Sequence, residues 1–261
     1  MGRPQKGGEP EDLPQTTSIN RIFGEQDRWN THSISIYPRI IIDSSEMNVF
    51  VSWSGGKDCM LALHRTLKSG SHRVMGLLNM CDRDSQLSRS HGLKKELIQR
   101  QADALGLRLI QPETRNGEYE KDFKAAIAEL KAERLEGVVF GDIYLMEHRT
   151  WIERVCSEMG IAAIFPIWGN TTNGLARELL LEGYQPLVVA VRNEPLPQSY
   201  LGRIFDAQMI AELEAMEGVD ICAENGEFHS FVIDGPIFRH RVSVKHGQSY
   251  FDKNHWYLPL N

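Results

Sequence analysis

Paired cysteines are missing from this 261-residue chain. Cys59, Cys81, Cys156 and Cys222 stand apart, with no CxxC and no metal-ligand spacing. That excludes a disulfide-stapled scaffold and a thiolate zinc site, and it fits reduced thiols in the cytoplasm. No apolar run reaches the roughly 18 residues that a membrane helix needs. The N-terminus has no apolar signal-peptide core either, so a soluble, cytoplasmic protein is expected. A basic excess is also absent, the formal net charge being -6. Domains that grip a nucleic-acid backbone carry a basic stripe. None is visible, so no direct nucleic-acid partner is expected.

Residues 1–46 are rich in Gly, Pro, Ser, Thr and Asn, and only Ile40, Ile41 and Ile42 form an apolar run. They read as a disordered or weakly ordered extension. Translation starting at Met47 is the alternative, because the first strand begins just after it.

From Val49 the apolar pattern switches between short continuous runs and helical spacing. Strands are expected at Val49–Trp53, Val74–Met80, Leu107–Gln111, Val138–Phe140 and Ile161–Phe165. Helices are expected between them at Asp58–Ser69, Leu93–Leu105, Tyr119–Leu135 and Glu147–Met159. That alternation predicts an α/β domain, residues 47–168, with an open five-stranded parallel sheet. After Pro166 the rhythm changes. Helices are expected at Thr172–Glu182 and Ala207–Met216, with strands at Pro186–Val191, Phe228–Ile233 and Val242–Lys245. Residues 169–261 therefore read as a smaller C-terminal α+β domain that binds substrate.

The first chemical signal is Ser52-Trp53-Ser54-Gly55-Gly56-Lys57-Asp58-Cys59, set between a strand and a helix. The glycines permit close approach of a ligand. The helix start offers unpaired N–H groups and a positive dipole end, which together make an anion site. Lys57 adds a cation, and Ser52 and Ser54 add hydroxyls. The spacing is neither a Walker loop nor a dinucleotide fingerprint. Asp58 is either a metal ligand or a brace for its own loop. Gly141-Asp142 follows the fourth strand. In a sheet ordered 3-2-1-4-5 it faces the phosphate loop across the switch point. Asp142 there could orient a nucleotide, hold Mg²⁺ or be a solvated turn residue. The polar segment Asn79–His91 carries Ser85, Ser88, Ser90 and His91. Of these, Ser85 and His91 are substrate-binding candidates, although His91 could instead cap the next helix. His64 reads as an ordinary helix residue.

The second signal is Asp220-Ile-Cys222-Ala-Glu224-Asn225-Gly226-Glu227-Phe228-His229-Ser230. It sets carboxylates, an imidazole and a hydroxyl at the mouth of a short strand. Such a cluster could take up a proton, hold a cation or position a substrate. Read alone, it is equally an Asn-Gly turn closing a hairpin.

The loop resembles the PP-loop of ATP pyrophosphatases, usually Ser-Gly-Gly-x-Asp-Ser. Further matches follow in order: Gly141-Asp142, Arg149 and Glu153, Pro166-Ile-Trp168, Leu201-Gly202-Arg203 and the Glu-Asn-Gly-Glu-Phe-His-Ser string. Together they are similar to the diphthine–ammonia ligase (diphthamide synthetase) family, from about Met47 to about Phe238. In that family Cys59 is a match. Ala223 for Gly, Phe228 for Tyr and Ser230 for Thr are departures. The resemblance implies a sheet of the PP-loop (adenine nucleotide alpha hydrolase-like) type. It implies use of ATP and Mg²⁺ to adenylate a carboxylate, with ammonia as co-substrate. The partner would be elongation factor 2 carrying diphthine, or another carboxylate in a bacterial member. Lys57, Asp58, Glu227 and His229 become the catalytic candidates. Ser52 to Cys59, without Trp53, and Gly141 and Asp142 become the nucleotide contacts. Ser85, His91, Arg149, Glu224, Asn225, Glu227 and His229 are the substrate contacts, and Asp58 is the candidate metal ligand. A tRNA-modifying enzyme and a non-catalytic ATP or AMP sensor are the rival readings.

Overall fold

The structure is a computed structural model that describes residues 46–261, all within one compact unit. Apart from Glu46, the extension expected over 1–46 lies outside the described residues.

Strand β1 (Met47–Ser52) feeds α1 (Lys57–Ser69), and β2 (His72–Leu78) follows. After the short β3 (Cys81–Asp82) come α2 (Lys95–Leu105), β4 (Leu109–Ile110) and β5 (Glu113–Thr114). Then follow α3 (Tyr119–Ala132), β6 (Gly137–Val139), α4 (Met146–Glu158) and β7 (Ala162–Ile164). The main sheet has five strands in the order β4-β2-β1-β6-β7, every pairing in it being parallel. Counted along the chain, that is the expected 3-2-1-4-5. The winding reverses between β1 and β6, so a crevice opens beyond their carboxyl ends.

Both faces of this sheet are buried, as a parallel sheet requires. Val49, Val51, Leu77 and Val139 face α1 and α2. Phe50, Leu78, Val138 and Phe140 face α3 and α4. The helices form for local reasons too. In α2, Leu97, Ile98, Gln101, Ala102 and Leu105 fall on one buried face. Gly106, with φ of 69°, ends the helix and donates to the Ala102 and Asp103 carbonyls, a left-handed stop suited to glycine.

The remaining elements are α5 (Thr172–Leu181), β8 (Pro186–Arg192), a short 3₁₀ helix (Gln198–Tyr200), α6 (Ala207–Glu214), β9 (Phe228–Val232), β10 (Tyr250–Asp252) and β11 (His255–Tyr257). Their four strands form an antiparallel sheet in the order β10-β11-β8-β9. Outside this sheet, β3 and β5 pair in a separate two-stranded sheet that was not expected, and two details of the C-terminal part differ from expectation as well. Val242–Lys245 is not a ladder strand. The Val242 N–H bonds Ile233 O while Lys245 exchanges bonds with Asn261, so the segment divides its bonds between two partners. The hairpin of β10 and β11 was not foreseen. Its turn residues Lys253 and Asn254 have φ of 45° and 69°, the primed-turn geometry usually signalled by Asn-Gly. Among the described residues, no helix is long and apolar enough to cross a membrane.

Candidate active site

The crevice contains a cavity of about 290 Å³ built from both halves of the chain. The end of β1, the loop and the first turn of α1 supply Ser52, Trp53, Ser54, Lys57, Asp58 and Cys59. The end of β6 and the start of α4 supply Gly141, Asp142, Leu145 and His148. The segment before α2 gives Ser90 and His91, and the C-terminal half gives Ala223, Glu224, Phe228, His229 and Ser230.

The two halves are bonded to each other through the phosphate loop. The Lys57 N–H donates to Ser230 Oγ at 3.2 Å. The Lys57 ammonium donates to Asp58 at 2.9 Å and to the Cys222 carbonyl, and it lies 5.1 Å from the Phe228 ring centre. An ammonium has three protons, so one remains for a ligand. Burial works against this cation, but the Asp58 and Glu224 carboxylates outweigh it and its pKa stands above the usual lysine value. The Gly55 carbonyl accepts from Val232 N at 2.9 Å and from Gln101 Nε2 at 3.0 Å.

Gly55 and Gly56 do not line the cavity; they let the loop pack. A Cβ on Gly55, whose φ is 84°, would come within 2.8 Å of Ile98. One on Gly56 would come within 2.5 Å of the His91 ring. Gly141 has the same character, since a Cβ there would sit 2.7 Å from Cys59 N. Cys59 Sγ bonds Ser54 Oγ at 3.3 Å and the Gly56 carbonyl at 3.2 Å, and burial pushes its thiol pKa up.

Three acidic side chains line the cavity, Asp58 beside Lys57 and Asp142 and Glu224 from other segments. Burial raises the pKa values of Asp58, Asp142 and Glu224, helped by the Asp58 charge at Asp142 and Glu224 and by the Asp220 charge at Asp58. Glu224 accepts from Ile143 N at 3.0 Å and so holds the loop after β6. Asp142 lies 3.3 Å from His148. The His91 and His229 imidazoles are neutral. Burial, then the Lys57 charge, lowers His229 to about 4. His91 is held well below its usual value by burial, by the neighbouring His229 and by the Lys57 charge.

Several candidates stand elsewhere. Glu227 is fully buried; its Oε1 accepts from Asp220 N at 3.2 Å and Asn225 Nδ2 at 3.4 Å, bracing the turn from behind. Asn225 is exposed beside it. Ser85 donates to Asp82 at 2.9 Å on an exposed loop. Arg149 pairs with Glu153 at 2.7 Å and stacks on Trp168 at 4.6 Å, a packing cluster on α4. His91 does not cap α2, whose first residues have no side-chain cap. His148, Trp53 and Gln101 were missed. Gln101 did leave a trace, as a polar residue on the apolar stripe of α2.

A phosphate chain fits this donor set: a buried cation with a proton to spare, hydroxyls, and the start of a 13-residue helix. A self-contained metal cage does not. Among the described residues no group of three His, Cys, Asp or Glu could hold an ion, and Asp58 is committed to Lys57. Mg²⁺ that arrives with phosphates needs only one or two protein carboxylates, and Asp142 and Glu224 are the ones that face the cavity apart from that pair.

Two family models match the chain in succession. The family model described as diphthamide synthase N-terminal domain matches residues 47–163. The one described as diphthamide synthase C-terminal domain matches residues 171–261. Diphthine--ammonia ligase of Rattus norvegicus is 25% identical over 222 residues, 76% of this chain and 83% of that protein. The Homo sapiens protein of the same name is 24% identical over the same shares. A solved structure titled as a predicted subunit of tRNA methyltransferase from Methanocaldococcus jannaschii covers 55% of this chain and 80% of its own, at 19% identity and a TM-score of 0.39. With both domain models matched in order along the chain, the protein belongs to the diphthamide synthase family.

Proposed function

We propose that this chain is an AMP-forming carbon–nitrogen ligase that activates a carboxylate with ATP and transfers it to ammonia. The carboxylate of diphthine on elongation factor 2 is the proposed substrate, in keeping with the names of the relatives. The observation that carries the reading is the bonding of Lys57 to Ser230 and Cys222. It makes the nucleotide loop and the family's C-terminal string walls of one cavity.

The chemistry follows from the residues. A carboxylate oxygen is a poor leaving group, whereas AMP is a good one. The free Lys57 proton, the hydroxyls of Ser52 and Ser54 and the start of α1 receive the phosphates and stabilise charge that develops there. Mg²⁺ would supply further charge neutralisation on the phosphates, held through Asp142. The substrate carboxylate would enter from the side of His229 and Glu224. Holding both reactants in the crevice removes much of the entropic barrier.

The test is release of AMP and pyrophosphate from ATP, Mg²⁺ and ammonium, with and without diphthine-bearing elongation factor 2. The expected result is AMP release that depends on the factor, with the mass change of acid becoming amide. AMP release that depends on a different carboxylate would replace the substrate. ATP binding with no release under any condition would turn the reading into that of a sensor.

A further inference from the structure

Next to the polar cavity lies a smaller one of about 180 Å³, with Leu87, Leu93, Val189, Tyr257, Leu258 and Leu260 in its walls. His91 is the one residue that lines both. Its ring lies against Gly56 of the phosphate loop, close enough that any Cβ there would collide with it. On its other side it stacks on His229, with ring centres 4.7 Å apart.

We propose that the smaller cavity admits neutral ammonia, and that His91 takes the proton the nitrogen sheds as it attacks the activated carboxyl carbon. This rests on the ligase reading above. His91 Nδ1 lies 3.0 Å from the Ser230 carbonyl. A carbonyl only accepts, so Nδ1 carries the proton and Nε2 keeps a lone pair. The apolar walls favour ammonia over ammonium, because an unpaired charge is costly to bury. At the rim, Lys94 adds like charge against ammonium; its ammonium is bonded to Asn261. Space is ample, since a water-sized molecule occupies about 30 Å³ in the liquid. Burial, His229 and Lys57 keep the imidazole unprotonated and ready.

The step balances. The nitrogen lone pair forms the C–N bond. The C–O bond to phosphate breaks, and its electron pair leaves on AMP. The proton shed by nitrogen goes to Nε2, and the imidazolium returns it to water. A weak base suffices, because nitrogen bonded to an acyl carbon is far more acidic than free ammonium.

Two half-reactions separate this inference from the ligase reading. Pyrophosphate exchange into ATP reports adenylation, and ammonium titration of amide formation reports the second step. His91→Gln should slow amide formation by about 10²-fold, the low end for loss of a positioned base, and slow exchange far less. Added imidazole should restore part of the rate in His91→Ala. Leu87→Trp and Leu260→Phe, from different walls of the smaller cavity, should raise KM for ammonium several-fold and leave KM for ATP unchanged. An unchanged ammonium KM in both filled variants, with exchange intact, would overturn the route. Equal loss of both half-reactions in His91→Gln would overturn the base. Absence of exchange in the unaltered protein would remove the ligase reading itself.

Discussion

His229 lines the cavity and is partly buried. Its folded pKa of about 4 lies below the ordinary 6.5, which makes stability depend on pH. Above about 6.5 the ring is neutral in both states and costs nothing. As pH falls toward 4, the unfolded chain takes up a proton that the folded ring refuses, so stability is lost, by up to about 3 kcal/mol. His91 acts in the same direction, while the raised carboxylates Asp58, Asp142 and Glu224 act in the opposite one. The difference between the unaltered protein and His229→Gln isolates one ring. Urea unfolding at pH 7 and pH 4.5 should show the variant gaining about 2 kcal/mol relative to the parent on acidification. Parallel pH dependences would refute the assignment. The structure places His229 and Glu224, both singled out in the sequence, at the cavity, but the sequence could not separate Glu224 from Glu227. In an irregular turn, three residues of separation say nothing about which side chain points inward. Only the bond to the Ile143 N–H, far away in the sequence, decides it.

The β10–β11 hairpin shows what local pattern can and cannot convey at the scale of elements. The parallel sheet was legible because its strands are continuous apolar runs buried on both faces and separated by helical periods. The hairpin strands Tyr250–Asp252 and His255–Tyr257 are short and half exposed, and their turn lacks the usual glycine signal. Lys253, at φ of 45°, occupies a conformation that disfavours a side chain with a Cβ. Replacing Lys253-Asn254 by Asn-Gly suits the turn, and should stabilise the protein by about 1 kcal/mol, raising Tm by about 2–4 °C. Thermal unfolding checks it, and a lowered Tm would mean that the Lys253 side chain makes a contact worth more than the strain. His255 of this hairpin stacks on His229, with ring centres 6.2 Å apart, so a steadier turn also steadies the wall behind that imidazole.

At the scale of the molecule, the cavity exists only while the N-terminal sheet and the C-terminal strands stay joined, and Gln101 is the joint. It is completely buried. Its amide NH₂ donates to Gly55 O at 3.0 Å and to Val232 O at 2.7 Å. Its carbonyl accepts from Trp53 Nε1 at 2.9 Å. One side chain thus links the end of β1, the phosphate loop and β9. Leucine has nearly the same size but no polar atoms, so Gln101→Leu would strand the indole N–H and the Val232 carbonyl. Gly55 O would keep its bond from Val232 N. Each stranded buried group costs about 1–3 kcal/mol, so a total loss of about 2–4 kcal/mol is expected. The loss should appear as a lower denaturant midpoint with an unchanged slope, because the two halves share one hydrophobic core. If the joint also sets the loop's shape, Gln101→Leu will weaken ATP binding under conditions where the variant is still fully folded. Loss of stability with unaltered ATP affinity would confine Gln101 to holding the halves together. Loss of affinity in the folded variant would make it part of what shapes the site.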